Sequence, residues 1–380
     1  MGHRRLAAAV LAALLAAAMR GGTGAAATPA TWQSWVHLAG VFDLAGPRHD
    51  GRVVAAAAGH LRLIAPDGGI APFADGPGGY AGTDGPEAYI ALSPGLQDTA
   101  DGCRFAADDL FVLDLGAVPG VIRVTPDGHA GAFAAIPVAK TLSGIAFDTV
   151  GRFGHRLLVA GPAAHGDGTV VAAVDCRGRV ATVATGLPVF EGGLVVAPAG
   201  FGPHAGELVV PDELSGRILG ITAAGEAVEL AASGIPRGGD IGVESAGVVP
   251  VVAGVLVADR GTPGNPHPGT DSVLRLEPAA LGAAGVAPGD ILIASEGGAV
   301  TVDLRCAPGC AVRTVAMGPP TAHGEGHLIG LGPPPAAVAA PVAAGSGERR
   351  GPVLGAVVSL LAGVAVIAAM LALRGRLRRR

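Results

Sequence analysis

The sequence predicts an all-β protein, a β-propeller of five or six four-stranded blades with six the better fit, followed by one C-terminal transmembrane helix. Three observations carry this. First, Phe190 to Pro236 holds four short apolar runs, Gly193 to Ala197, Glu207 to Val210, Arg217 to Ile221 and Ala227 to Ala231, separated by Gly-rich or polar turns. Each run has strand length, and the unit is a four-stranded meander of 47 residues. Second, looser copies of the unit recur before and after it, and such a unit repeated about an axis is a propeller blade. Third, 63 of the 380 residues are Gly and 30 are Pro, with only 15% charged and 3% aromatic. Turns are therefore frequent, and long amphipathic helices have little material.

Residues 1–27 read as a signal peptide. His3, Arg4 and Arg5 precede the apolar run Leu6 to Ala18, and Ala25-Ala26-Ala27 offers a small-residue cleavage site. The ectodomain is then 28–331. Its first segment, Trp32 to Gly40, is expected to close the ring by pairing late with the C-terminal end of the body.

Four hairpins follow in order: Leu61 to Gly76, Val121 to Pro137, Val170 to Pro188 and Ile218 to Pro236. In each, an alternating run meets a turn glycine (Gly68, Gly128, Gly178, Gly225) and then a second alternating run. Glycine suits such turns because they demand positive φ, which costs it nothing. The four glycines are spaced 60, 50 and 47 residues apart, the period of a blade with insertions in the earlier copies. A fifth unit is expected from about Arg237 to Leu304, with a helix-like insertion around Ala279 to Gly285. Strands around Ala311 to Met317 and His327 to Leu331 would complete the ring.

Four cysteines in an exported chain are expected to be oxidised. Cys306 and Cys310 enclose only Ala-Pro-Gly, a turn, so a local bridge is expected there, which leaves Cys103 with Cys176. A metal site at the cysteines is the competing reading, and no CxxC pair supports it.

Beyond the body, 332–352 is a Pro/Ala/Gly-rich stalk, extended where Pro is dense. Residues 353–373 carry no charge over a length that spans a bilayer, the mark of a transmembrane helix. The tail 374–380 carries five Arg, and positive charge flanks the cytoplasmic side. The expected placement is the cell membrane, single-pass, with the body outside and the C-terminus in the cytoplasm. Setting aside the Arg of the leader and tail leaves the segment between them near −13, from a formal net charge of −5. An acidic body with few aromatic rings argues against nucleic acid as a partner.

SGIAFDTVGRFGHRLLVAG (143–161) and ELVVPDELSGRILGITAAGEAVELA (207–231) resemble the repeat grammar of extracellular six-bladed propellers of the NHL, SMP-30/gluconolactonase and sorbosone-dehydrogenase type. The resemblance spans roughly Gly40 to Leu331 and implies a fold more than an activity.

Three constellations could carry chemistry. Inner strands converge at the axis of a propeller, and Glu87, Glu191, Glu244 and Glu325 each stand at the start of such a strand, where they could ring one mouth of the channel. An oxygen-rich ring suits a hard cation such as Ca2+. The resemblance to lactonase-like propellers would give Glu191 and Glu244 the holding of a metal that polarises a substrate carbonyl. It is incomplete, because the Asn of those sites has no counterpart. The second constellation is His323-Gly324-Glu325-Gly326-His327, whose alternation would set His323, Glu325 and His327 on one face of a strand, a transition-metal arrangement. The third is a polar loop holding Asp259, Arg260, Asn265, His267 and Asp271, of the kind that binds ligands on a rigid scaffold.

The sequence carries no Gly-x-Ser-x-Gly elbow, His-Glu-x-x-His, phosphate loop or dinucleotide fingerprint. The reading is a surface-anchored binding or scaffold module, with an extracellular protein or carbohydrate as partner. The alternative is an extracytoplasmic enzyme of lactonase or quinone-dependent sugar dehydrogenase type with a metal at the central channel.

Overall fold

A computed structural model describes residues 28–82, 87–250 and 254–332. Among these residues six sheets form, and their inner strands Val41–Ala45, Ile90–Pro94, Gly144–Phe147, Val195–Val196, Val243–Val248 and Gly324–Gly330 contact one another in a closed ring. The protein is a six-bladed propeller. Among the described residues no helix is long and apolar enough to cross a membrane. The leader at 1–27, the stalk beyond Gly332, the membrane span at 353–373 and the tail at 374–380 lie outside the described residues.

The first four blades are antiparallel meanders read outward in chain order. The four expected hairpins are the two outer strands of these blades, such as Arg217–Ile221 with Ala227–Ala232. Gly68, Gly128, Gly178 and Gly225 adopt φ between +79° and +92° at their tips. Between neighbouring blades the alternating apolar residues meet. Phe105, Phe111, Phe133 and Phe147 pack between blades two and three, with ring centroids 5.0 to 6.2 Å apart. Truncating the buried Phe111 to Ala is expected to cost about 3 to 5 kcal/mol in urea denaturation, and a loss under 1 kcal/mol would contradict this packing.

The last two blades are interleaved, which corrects the expected fifth unit. The inner strand Val243–Val248 pairs with Ile291–Ser295, whereas Val255–Asp259 and Ser272–Leu276 belong to the sixth blade. The short helix Pro278–Ala283 returns the chain to the fifth blade, and the inner strand of the sixth, Gly324–Gly330, comes last. Successive apolar runs here have equivalent patterns, so order in the chain does not select the partner. The choice is made by long-range contacts such as the Asp259 carboxylate, which accepts the backbone N–H of His323 at 2.8 Å.

The N-terminal segment closes the ring as expected, and on both interleaved blades. Ala30–Thr31 adds a parallel strand to Cys310–Met317, and Gln33–His37 pairs antiparallel with Ser272–Leu276. Between them Trp32, fully buried, donates its indole N–H to Thr301 Oγ1 at 2.9 Å. Among the described residues, ring closure draws on strands between Ala30 and Gly330.

Both disulfides are formed, Cys103–Cys176 and Cys306–Cys310. The first ties a loop of blade two to the outer hairpin of blade three across 73 residues. Closing so long a loop restricts the unfolded chain, and the Cys103→Ser/Cys176→Ser double variant is expected to lose about 4 kcal/mol in reducing-agent-free urea titrations. The Cys306–Cys310 loop is far shorter, so its removal should cost about half as much.

Candidate metal centre

Blades two, four, five and six deliver side chains to one mouth of the channel, from the start of the inner strand and, in the last three, also from the loop after the second strand. Glu87, Glu191, Glu244 and Glu325 come from the first kind of position. Glu213 follows Leu208–Asp212, Arg260 follows Val255–Asp259 and Glu296 follows Ile291–Ser295, all of the second kind.

Tyr89 binds the carboxylates together. Its hydroxyl lies 2.7 Å from Glu325 Oε1, 2.9 Å from Glu244 Oε1 and 3.5 Å from Glu87 Oε2. A phenol has one proton to donate, so the other carboxylates here need a proton of their own or a cation. Arg260 Nη1 bonds Glu87 Oε1 and lies 3.3 Å from Glu325 Oε2. His323 Nε2 lies 3.3 Å from Glu296 Oε1 and 3.7 Å from Glu325 Oε2. One ligand atom from each of Glu296, His323 and Glu325 falls within 4.8 Å of the others, and all three residues are buried.

The charge does not balance within the protein. Against six glutamates stand one guanidinium and one imidazole. Burial first, then the charges of Glu87, Glu325 and Glu296, raise the Glu191 carboxyl to about 7. Burial, then the neighbouring Glu296 carboxyl, raises Glu213 to about 8. Burial and the Glu325 charge hold Glu244 well above the carboxylate range, and burial with Glu325 raises Glu87. Burial opposes a charge on His323, yet the hydrogen bond and charge of Glu296 outweigh it and raise the imidazole. Glu244 Oε2, Glu296 Oε2, Glu213 Oε1 and His323 Nδ1 are buried without a hydrogen-bond partner, and such groups are costly unless something satisfies them.

Glu87, Glu244, Glu325 and His323 are thus brought together, and Glu191 stands on the exposed rim beside them. His327 is a correction. Alternation fails at Gly326, where φ is +68° and the pairing with Val255–Asp259 shifts register. A Cβ at Gly326 would stand 2.4 Å from Asp43 Oδ1, so only glycine permits this approach. His327 is carried deeper into the channel, where Nδ1 binds the Asp43 carboxylate at 2.9 Å and Nε2 the Ile145 carbonyl at 2.8 Å. Both ring nitrogens are engaged, and neither is left for a metal.

The polar loop divides similarly. Only Arg260 joins the acidic mouth. Asp259 serves the His323 backbone, Asp271 Oδ1 accepts N–H groups from Gly40 and Gly261, Asn265 Oδ1 accepts the N–H of His267, and His267 Nδ1 bonds the Pro320 carbonyl.

Sequence reading missed Tyr89, Glu213 and Glu296. A signal for the last two exists: VVPDE, IASEG and VADRG each end a second strand and then place Glu213, Glu296 or Arg260 at the equivalent position.

No family profile and no curated protein matches the chain. Solved structures are similar in outline. Virginiamycin B lyase from Staphylococcus aureus is 12% identical, with 78% of this chain and 77% of that one covered and a TM-score of 0.43. A putative gluconolactonase is 15% identical over 65% of this chain and 92% of that one, TM-score 0.33. A chain of a nidogen/laminin complex is 13% identical over 73% and 97%, TM-score 0.37. The blade count rests on the sheet topology of the chain itself, not on these likenesses.

Proposed function

We propose that the chain is an exported, membrane-anchored propeller that binds a divalent cation at the acidic mouth of its channel and presents that mouth to a ligand outside the cell. The observation that carries this is the meeting of Glu296, His323 and Glu325 within 4.8 Å, inside a cluster holding more carboxylates than its own donors can satisfy. Glu296, His323 and Glu325 would hold the ion, with the unpartnered oxygens of Glu213 and Glu244 beside them. An imidazole with carboxylates suits Zn2+ or Mn2+, whereas Ca2+ takes six to eight oxygens, so the histidine moves the expectation away from Ca2+. A bound ion would supply Lewis acidity toward a carbonyl or hydroxyl group. Arg260 fixes Glu87 and Glu325, and the rim residues Glu87, Glu191 and Arg260 stay accessible for contact with a carbohydrate or protein partner. Export and anchoring rest on Leu6 to Ala18 and on the uncharged stretch 353–373.

An enzyme of lactonase type is the second reading, favoured by Glu191. A carboxyl raised to about 7 on an exposed rim can take a proton near neutral pH.

The test is elemental analysis of the secreted body, residues 28–332, with melting curves before and after chelation. One divalent ion per chain is expected. Its removal should lower the melting temperature by about 5 °C, the effect of losing about 2.7 kcal/mol of linkage. The Glu296→Gln/His323→Ala variant should arrive without metal and show no response to chelator. A metal-free wild-type body with an unchanged melting point would overturn the reading. Lactone hydrolysis lost on chelation and in Glu191→Gln would move the assignment to the enzyme.

A further inference from the structure

The loop after the second strand places one residue at the mouth in each of blades four, five and six, namely Glu213, Glu296 and Arg260. Two of these equivalent positions carry a carboxylate, and the third carries a guanidinium, which stays charged in proteins. The backbone fixes its place. Arg260 donates its N–H to the His323 carbonyl at 2.9 Å, and the preceding Asp259 carboxylate accepts the N–H of His323 at 2.8 Å. The arginine is thus seated beside the histidine of the Glu296, His323 and Glu325 cluster.

The guanidinium draws on the same carboxylates as that cluster. Arg260 Nη1 bonds Glu87 Oε1 and lies 3.3 Å from Glu325 Oε2. The same Glu325 oxygen lies 3.7 Å from His323 Nε2. Glu325 is therefore shared between the arginine and the three residues that meet within 4.8 Å. Glu87, Glu244 and Glu325 also converge on the Tyr89 hydroxyl, each within 3.5 Å of it. Carboxylates enough for two adjoining cations are present, and Arg260 is one of those cations.

On the reading of this mouth as a metal site, we propose that Arg260 is a built-in cation that stands in the place of a second ion and limits the protein to one. Two-metal sites hold their ions about 3.5 to 4 Å apart, a spacing at which one carboxylate serves both, as Glu325 Oε2 here faces both Arg260 and His323. A guanidinium in the second place supplies positive charge and offers no coordination position to a ligand. The consequence is chemical. One ion can polarise a single carbonyl or hydroxyl oxygen, whereas the clamp that two ions put on the attacking and leaving oxygens of an in-line displacement is closed to this protein.

The test is titration of the full-length chain in detergent with Zn2+ and with Mn2+. Bound ions are counted by equilibrium dialysis, and the Mn2+ spectrum is recorded by electron paramagnetic resonance. The wild type is expected to saturate at one ion per chain, with the sharp hyperfine pattern of an isolated Mn2+. Arg260→Gln removes the charge and is expected to take two ions, its spectrum broadened by coupling between neighbours. Arg260→Lys keeps a cation and should stay at one. Glu87→Gln in the Arg260→Gln background takes a carboxylate from the second position and should return the count to one. Coupling between ions is a signature that loss of a merely structural contact does not produce. If Arg260→Gln does not fold by itself, it is refolded with Mn2+, because an ion in the second position replaces the guanidinium; a variant that folds in neither condition overturns the proposal. So does folded Arg260→Gln with one ion and an uncoupled spectrum, or two ions in the wild type, in Arg260→Lys or in the double variant. A wild type that binds neither Zn2+ nor Mn2+ overturns the metal reading itself, whereas one ion in both wild type and Arg260→Gln leaves that reading standing and removes only the role of Arg260.

Discussion

Replacing Trp32 by Ala is expected to cost about 3 to 5 kcal/mol, and deleting residues 28–38 to abolish the folded ring. Trp32 is 1% exposed, the largest fully buried side chain of the body, and truncating a buried Trp forfeits both transfer free energy and packing. It also stands where the ring closes, between the strand that extends blade five and the strand that completes blade six. The deletion removes both strands and leaves Ser272–Leu276 as an exposed apolar edge, which invites pairing with another chain. Because a domain is stable by only about 5 to 15 kcal/mol, the loss of two strands and the Trp anchor exceeds what the rest can absorb. Urea denaturation followed by circular dichroism measures the first effect, and soluble yield with size-exclusion profile the second. A Trp32→Ala protein within 1 kcal/mol of wild type would show that closure does not depend on this anchor.

The metal-free protein is expected to lose stability as the pH rises from 5 to 8. The folded-state values of Glu191 and Glu213, about 7 and about 8, lie above the ordinary glutamate value of 4.5. Between those limits the folded state binds more protons than the unfolded chain, so the stabilising protons are present at low pH and are lost as the pH climbs. His323, also raised, acts in the same direction. Asp50, Asp98 and Asp175 are lowered, and their contribution is lost only as the pH falls into the acid range. Glu191 is exposed to solvent, which screens its share of the effect, and a combined loss of about 3 kcal/mol is expected across this window. A divalent cation supplies the positive charge that the protons supplied, so saturating Zn2+ or Mn2+ should flatten the profile. Glu213→Gln should remove part of the slope in chelator. Melting curves at half-unit pH steps measure it, and a chelated protein whose stability rises across this window would contradict the charge arrangement of the mouth.

The candidate site was partly legible because strand starts are marked locally. Glu87, Glu191, Glu244 and Glu325 each precede or open an apolar run, and a propeller carries every such position to its axis. Glu213 and Glu296 stand in loops after second strands, and one such residue in isolation looks like any solvated turn. Only when VVPDE, IASEG and VADRG are set in register does their shared destination emerge. His327 misled for the opposite reason. Its spacing from Glu325 is that of a strand face, and one glycine in the left-handed region undoes it.

The sequence by itself determined the blade repeat, the hairpin turns, the Cys306–Cys310 bridge and the acidic strand starts, since each depends on residues close in the chain: alternation, a turn glycine, a short loop; Cys103–Cys176 then followed as the remaining pair. Tertiary structure alone decided the interleaving of blades five and six, the two-blade clamp of the N-terminal segment and the redirection of His327. These follow from which apolar runs meet across the ring and which buried carboxylates find donors. Both are settled by packing between residues tens to hundreds of positions apart, such as Asp259 with His323 and Asp43 with His327, where local pattern is degenerate.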